Sequence, residues 1–163
     1  MIEYLSDAII LQKDFSGEMD ARVHIFTKKY GKLVARAKSA RKILSKLSAH
    51  LEPGNLCRTR LIEKNGLQVV DALKNGTAAA TPADLHFLAK ILAENEPEPA
   101  IWQMLVNNKF SWNLALKILG WDPACAQCAE CGGKPERFNP SQQNFFCKNC
   151  SLNLPKNDTI NLS

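Results

Sequence analysis

The sequence predicts an α+β fold, in which a β-rich N-terminal part precedes a small helical domain. Short β-like segments separated by turn residues fill residues 1–75, helical periodicity begins near Thr81, and two paired cysteine motifs lie near the end. We therefore predict two domains, over residues 1–76 and 77–163, with the cysteine motifs at about 124–151.

Five segments of the N-terminal domain have the composition of β-strands. They span residues 4–13, 21–27, 32–37, 56–63 and 67–73. Lys64-Asn65-Gly66 joins the last two segments, and Asn-Gly is a strong signal for a two-residue hairpin turn. Five short strands of this kind fit a small β-barrel of the OB-fold type.

Three helices are predicted after residue 80. The first begins at Thr81, whose side chain can cap the helix, and Pro82 suits the first helical position. A second helix covers residues 99–106. A third begins near Ser111 and stops at Gly120.

Four cysteines have the spacing of a structural zinc site. Cys128 and Cys131 form one C-x₂-C pair, Cys147 and Cys150 form another, and fifteen residues separate them. Four thiolates complete a tetrahedron and leave no open position, so we expect one structural Zn²⁺ ion. Cys125 offers a rival first pair with Cys128, but the glycines that follow Cys131 favour Cys128 and Cys131.

Two other interpretations of the four cysteines are a redox-active C-x-x-C motif and an unligated thiol cluster. Cys57 lies apart from them in a predicted strand. We expect it to be a small buried hydrophobic residue.

Positive charge is concentrated between Lys28 and His50, an interval without Asp or Glu, although the formal net charge is only +5. On an OB-fold barrel, oligonucleotides lie across strands 2 and 3, where lysine and arginine can follow a phosphate backbone. Phe26 and Tyr30 are expected to offer base-stacking surfaces. The predicted DNA contacts are the basic residues of these strands and of the next segment: Arg22, Lys32, Arg36, Lys38, Arg41, Lys42 and Lys46. The alternative interpretation of this charge run is a solvated surface.

Several classes of function lack support in the sequence. It contains no G-x-x-x-x-G-K-[ST], G-x-S-x-G or H-E-x-x-H motif, so we expect a protein that is not an enzyme. The N-terminus has no basic region before an apolar run, and no window approaches the roughly 20 apolar residues of a membrane span. A cytoplasmic location is therefore expected, where cysteines favour metal binding over disulfides.

Motifs along the chain resemble the RecO family of bacterial recombination mediators. They lie at residues 8–11, at 18–27 with Gly31-Lys32, at 37–42, at 51–53 and at 120–132. In this alignment Cys125 falls on a leucine position, and Ser39 stands where the family usually has glycine. Family members usually continue with further helices after Cys150.

The resemblance implies an N-terminal OB-fold and a helical domain that contains the zinc motif. It also implies binding of single- or double-stranded DNA, strand annealing, and loading of the recombinase RecA. RecR is the partner it implies, with single-strand-binding protein as a further one. Two alternatives remain: a zinc-ribbon adaptor that binds proteins, and an RNA-binding OB-fold protein without a role in recombination.

Overall fold

The computed structural model describes residues 1–40 and 45–162. The chain divides into two compact units, Met1–Asn108 and Lys109–Ser163. The predicted domain division at residue 76 falls within the first unit and stays a prediction.

The first unit contains five paired strands, each matching a segment predicted from the sequence. They are β1 (Ile2–Ser16), β2 (Asp20–Thr27), β3 (Gly31–Ala37), β4 (Asn55–Glu63) and β5 (Leu67–Thr77). Asn65 and Gly66 link β4 to β5 with positive φ angles of 53° and 101°, which confirms the predicted hairpin turn.

The strands pair in the order β1-β2-β3-β5-β4, which is the order of a small barrel. β1 is long enough to serve two neighbours: residues from Ile2 to Ile9 pair with β4, and residues from Ala8 to Ser16 pair with β2. The seam between β3 and β5 is a single parallel pair, Arg36 with Gln68. The findings therefore support a five-stranded sheet, and the OB-fold assignment itself stays a prediction.

Strand alternation explains the core of the first unit. Val23 and Ile25 on β2 point inward together with Ala8 and Ile10 on β1, and all four are fully buried. Burying one large aliphatic side chain contributes about 1.5–3 kcal/mol to folding. The buried Cys57 belongs to the same cluster, which confirms its prediction as a small buried residue.

A short helix that the sequence did not predict follows the basic segment. α1 (Lys46–His50) begins after Ser45, whose hydroxyl accepts the backbone N–H of Ser48 at 3.3 Å. Its C-terminal carbonyls are satisfied by residues of β4. The side-chain amide of Asn55 donates to Ala49 O at 3.3 Å and to His50 O at 3.1 Å.

Two further helices, α2 (Pro82–Ile91) and α3 (Pro99–Val106), belong to the first unit. Thr81 caps α2 as predicted: its hydroxyl accepts the backbone N–H of Asp84, whose carboxylate accepts the backbone N–H of Thr81. Trp102 of α3 packs edge-on against Phe26 of β2, with 5.8 Å between ring centroids. The helices thereby shield part of the outer sheet surface.

The second unit is built from small elements. They are α4 (Trp112–Ile118), β6 (Arg137–Asn139), β7 (Asn144–Phe146), β8 (Ile160–Asn161) and two 3₁₀ helices at Cys150–Asn153 and Lys156–Asp158. β6 lies between β7 and β8. Phe138 of β6 is fully buried, and its ring centroid lies 5.4 Å from that of Trp121 and 4.9 Å from that of Phe145. These aromatic contacts form a small core in the second unit.

Within residues 1–40 and 45–162, no helix combines the length and the apolar character needed to span a membrane.

Candidate metal centre and nucleic-acid interface

The four cysteines with zinc-like spacing come together in the second unit. The sulfur atoms of Cys128, Cys131, Cys147 and Cys150 all lie within 4.8 Å of one another. The Cys131 and Cys147 sulfurs are 3.7 Å apart. A tetrahedral site with Zn–S bonds of about 2.3 Å requires sulfurs about 3.8 Å apart. The group is therefore close enough to hold a metal ion and is compatible with zinc.

A tight turn presents the first two cysteines. The backbone N–H of Cys128 donates to Gly133 O at 2.8 Å, and that of Gly132 donates to Cys128 O at 2.9 Å. Gly132 has φ of 72°, a conformation that glycine adopts without a Cβ penalty. The glycines after Cys131, which the sequence analysis used to choose this pair, therefore close the turn.

The second pair lies on the turn that follows β7. The backbone N–H of Cys150 points at the sulfur of Cys147, with an N···S distance of 3.4 Å. The backbone N–H of Ser151 donates to Cys147 O at 3.0 Å. Both pairs thus use the same local device, a turn whose backbone amides face a sulfur.

These amides favour negative charge on sulfur. The backbone N–H groups of Cys131 and Cys147 lower the pKa of the Cys128 thiol to about 6. Hydrogen bonding with Cys147, and burial after it, instead raise the pKa of Cys150. A divalent cation is the group that stabilises four thiolates in one place, so the donor set and its surroundings fit a zinc ion.

Cys125, the rival ligand, lies outside this group. Its side chain is exposed, and its sulfur is 3.9 Å from a carboxylate oxygen of Asp122. The sulfurs that come together are therefore the four chosen from sequence.

Two arginines predicted to contact DNA face each other on the sheet of the first unit. Arg22 of β2 and Arg36 of β3 are direct cross-strand partners, and both are exposed. Arg36 forms an ion pair with Asp20 at the start of β2. Within the described part of the chain, Arg22 has no ion-pair partner. Arg22 is also the direct cross-strand partner of Asp14 on β1, so each arginine has an acidic residue as a neighbour.

Lys32 occupies a different environment from the other predicted contacts. It is 7% exposed, and its ammonium donates to the backbone carbonyl of Ala89 in α2 at 2.9 Å. Burial lowers the pKa of Lys32, and Glu94 opposes that effect. An ammonium used inside the unit is not displayed to a phosphate, and this burial counts against the predicted role of Lys32.

The remaining predicted contacts follow β3. Lys38 is exposed just after that strand, and Lys46 is exposed on α1. Arg41 and Lys42 lie outside the described residues.

The prediction that Phe26 stacks on bases is wrong. Phe26 is only 1% exposed because Trp102 covers its ring. Tyr30 is half-buried and packs edge-on against Tyr4, with ring centroids 5.0 Å apart. Alternation along β2 predicts Phe26 on the outer face of the strand, but no local pattern in the sequence indicates that α3 covers that face.

The fold and the cysteine group define a class of protein. It is an α+β protein with a five-stranded N-terminal sheet and a four-cysteine group compatible with zinc. Residues 1–75 match the family model described as "Recombination protein O N terminal".

Relatives extend the similarity to most of the chain. The chain is 27% identical to "DNA repair protein RecO" of Myxococcus xanthus, over 93% of this chain and 74% of that protein. It is 28% identical to "DNA repair protein RecO" of a Dehalococcoides mccartyi strain, over 91% of this chain and 70% of the relative. Together, the family model and these relatives show that the chain is similar to the RecO family over most of its length.

Proposed function

We propose that this chain is a DNA-binding accessory protein of DNA repair and homologous recombination, which acts by binding and not by catalysis. The relatives carry the name of a DNA repair protein, which supports the general role. The observation that supports DNA binding by this chain is the exposed, directly opposed pair Arg22 and Arg36, with Lys38 and Lys46 beyond it.

The contacts in this proposal are to phosphates and not to bases. The arginine side chains on adjacent strands can each donate to a phosphate, because the guanidinium is a planar fork of N–H donors. The buried Phe26 removes the aromatic surface expected on β2. We therefore expect binding that depends little on base sequence and strongly on salt.

The test is an anisotropy titration of a labelled single strand of arbitrary sequence at several salt concentrations. The wild-type logarithm of affinity should fall linearly with the logarithm of salt concentration. Replacing Arg22, Arg36 and Lys38 together by glutamine should reduce that slope by about 2, since each neutralised phosphate contributes about 0.7 on single strands.

A matched control removes the same charge elsewhere. Arg58, Lys64 and Lys134 are all exposed, and their joint replacement by glutamine should leave the slope close to that of the wild type. Equal losses in the two triple variants would show that only net charge matters and would sink the placement. Competition by RNA of equal length separates a DNA-binding protein from an RNA-binding one.

The four cysteines serve a structural role in this proposal. One zinc ion on Cys128, Cys131, Cys147 and Cys150 would fix the two turns of the second unit, and no ligand position would remain for a substrate. A cytoplasmic location is part of the same proposal.

The partners implied by the family complete the proposal. We propose that the chain binds RecR and supports strand annealing and the loading of RecA. Single-strand-binding protein is a further proposed partner. Co-elution of the purified chain with RecR tests the first contact. Annealing of complementary strands, compared between the wild type and the Arg22/Arg36/Lys38 triple variant, tests whether the basic residues serve that activity.

A further inference from the structure

α1 contacts the end of β5 through His50 and Lys74, and Lys46 lies one turn before His50. Nδ1 of His50 accepts a hydrogen bond from the backbone N–H of Lys74, with an N···N distance of 3.0 Å. Lys74 and Lys46 are exposed, and His50 is half-buried. Lys46 precedes His50 by four residues on α1, so their side chains lie on the same face of the helix.

The hydrogen bond fixes the tautomer of His50. A backbone N–H can only donate, so Nδ1 must carry the lone pair, and the neutral imidazole carries its proton on Nε2. Nε2–H is then a donor on the helix face that also carries Lys46. Two exposed lysines and one neutral donor therefore belong to the junction of α1 and β5.

Neighbouring groups that would repel an anion are already engaged. The carbonyl of His50 accepts hydrogen bonds from Asn55 at 3.1 Å and from the thiol of Cys57 at 3.0 Å. The carboxylate of Glu52, just after α1, is paired with Lys13. The positive charge at the junction is therefore not cancelled by these two groups.

We propose that Lys46, His50 and Lys74 form a binding site for one phosphate group of a nucleic-acid backbone. The site adds residues of α1 and β5 to the predicted contacts on β2 and β3, and it rests on the proposed DNA-binding function. The basic run in the sequence singles out Lys46, but it points to neither His50 nor Lys74. Those two residues join the site only through the contact between α1 and β5.

The variants separate the charge from the structure of the junction. Lys74→Gln removes one ammonium and keeps the backbone N–H that His50 accepts. His50→Asn keeps an acceptor oxygen near the position of Nδ1 and removes the Nε2–H donor. Lys64→Gln is the control, because Lys64 is an exposed lysine at the other end of the same β4–β5 hairpin.

Affinity for the labelled single strand, measured across salt concentrations, is the first readout. We expect Lys74→Gln to reduce the salt slope by about 0.7, the contribution of one phosphate contact on single strands. His50→Asn should weaken binding by about two- to fivefold without changing the slope, because a neutral donor displaces no counterion. Lys64→Gln should match the wild type. The His50 ring proton resonances should shift when the oligonucleotide is added.

Three results would count against the proposal. If Lys74→Gln and His50→Asn both bind as the wild type does while Arg36→Gln is weakened, DNA binding stands and this site is wrong. If the wild type shows no salt-dependent binding, the proposed function fails and takes this site with it. Loss of slope in the Lys64→Gln control equal to that in Lys74→Gln would also count against a localised site.

Discussion

The carboxylate of Asp20 holds Arg36 and the end of β3 together. One oxygen accepts a hydrogen bond from Nε of Arg36 at 2.6 Å, and the other accepts the backbone N–H of Ser39 at 2.8 Å. The Ser39 N–H first, and the Arg36 guanidinium second, lower the pKa of Asp20. Asp20 therefore orients Arg36 and the backbone that follows β3.

Because the pKa of Asp20 is lowered, the free energy of unfolding should depend on pH in the acid range. A carboxyl group with a lowered pKa in the folded chain stabilises the fold above its unfolded pKa. That contribution is lost as the pH falls through the folded value. We expect the advantage of wild type over Asp20→Asn, measured by thermal unfolding, to shrink as the pH falls below about 4. Glu18→Gln, an exposed change in the same turn, is the control. A gap that stays constant with pH would contradict the prediction.

Ser39, two residues after the end of β3, adopts a backbone conformation that is unfavourable for a residue with a Cβ. Its φ is 56°, in the left-handed region, where a Cβ costs about 1–2 kcal/mol. Glycine removes that strain and partly offsets the gain through greater freedom in the unfolded chain. We expect Ser39→Gly to raise the free energy of unfolding by up to about 1 kcal/mol in a urea titration. Ser39→Ala keeps the Cβ, so a glycine variant no more stable than the alanine variant would refute this.

Gly31 is required by a close approach as well as by its φ of 73°. A Cβ there would lie 2.6 Å from the backbone nitrogen of Glu96 and closer still to its carbonyl. Gly17 has a similar φ of 71°, but nothing lies within 4 Å of its Cβ position. We expect Gly17→Ala to cost about 1–2 kcal/mol and Gly31→Ala clearly more, by urea unfolding. Equal losses of unfolding free energy would show that the Glu96 backbone moves away from the added Cβ at little cost.

The elements that the sequence predicted well depend on local signals. The cap at Thr81 and the Asn65-Gly66 turn act within a few residues, and both appear where the sequence placed them. Paired cysteines are similarly local, because each C-x₂-C pair lies within one turn. Local patterns of this kind do not depend on what the rest of the chain does.

The features that the sequence missed depend on contacts between distant segments. The basic run led to the prediction that Lys32 contacts DNA, but its ammonium is buried against the carbonyl of Ala89, fifty-seven residues later. Phe26 is covered in the same way by Trp102. The three short strands of the second unit span only two or three residues each, too few for periodicity to reveal.

The metal proposal predicts different fates for two neighbouring cysteines. Cys131 belongs to the sulfur group, whereas Cys125 lies outside it and faces Asp122. We expect wild type and Cys125→Ser to retain one zinc per chain by elemental analysis after dialysis. Cys131→Ser should release it at lower chelator concentrations, because three sulfurs remain. Equal zinc retention in the two serine variants would contradict the four-sulfur site.

Lys32 and Arg36 lie four residues apart on β3, yet we expect their replacement to affect DNA binding differently. The Lys32 ammonium already donates to Ala89 O inside the first unit, whereas 59% of the Arg36 side chain is exposed. A buried cation that stays with its internal partner displaces no counterion from DNA. Lys32→Met should therefore leave the salt slope unchanged, and Arg36→Gln should reduce it by about 0.7 on a single strand.

Circular dichroism on both variants checks that a change in binding does not come from unfolding. If Lys32→Met stays folded and loses as much slope as Arg36→Gln, then Lys32 must leave α2 when DNA binds. The original prediction from the sequence, that Lys32 contacts a phosphate, would then be restored. If only Arg36→Gln reduces the salt slope, the DNA-contacting surface on β3 begins at Arg36. Lys32, which precedes Arg36 on this strand, then stays bound to the Ala89 carbonyl of α2.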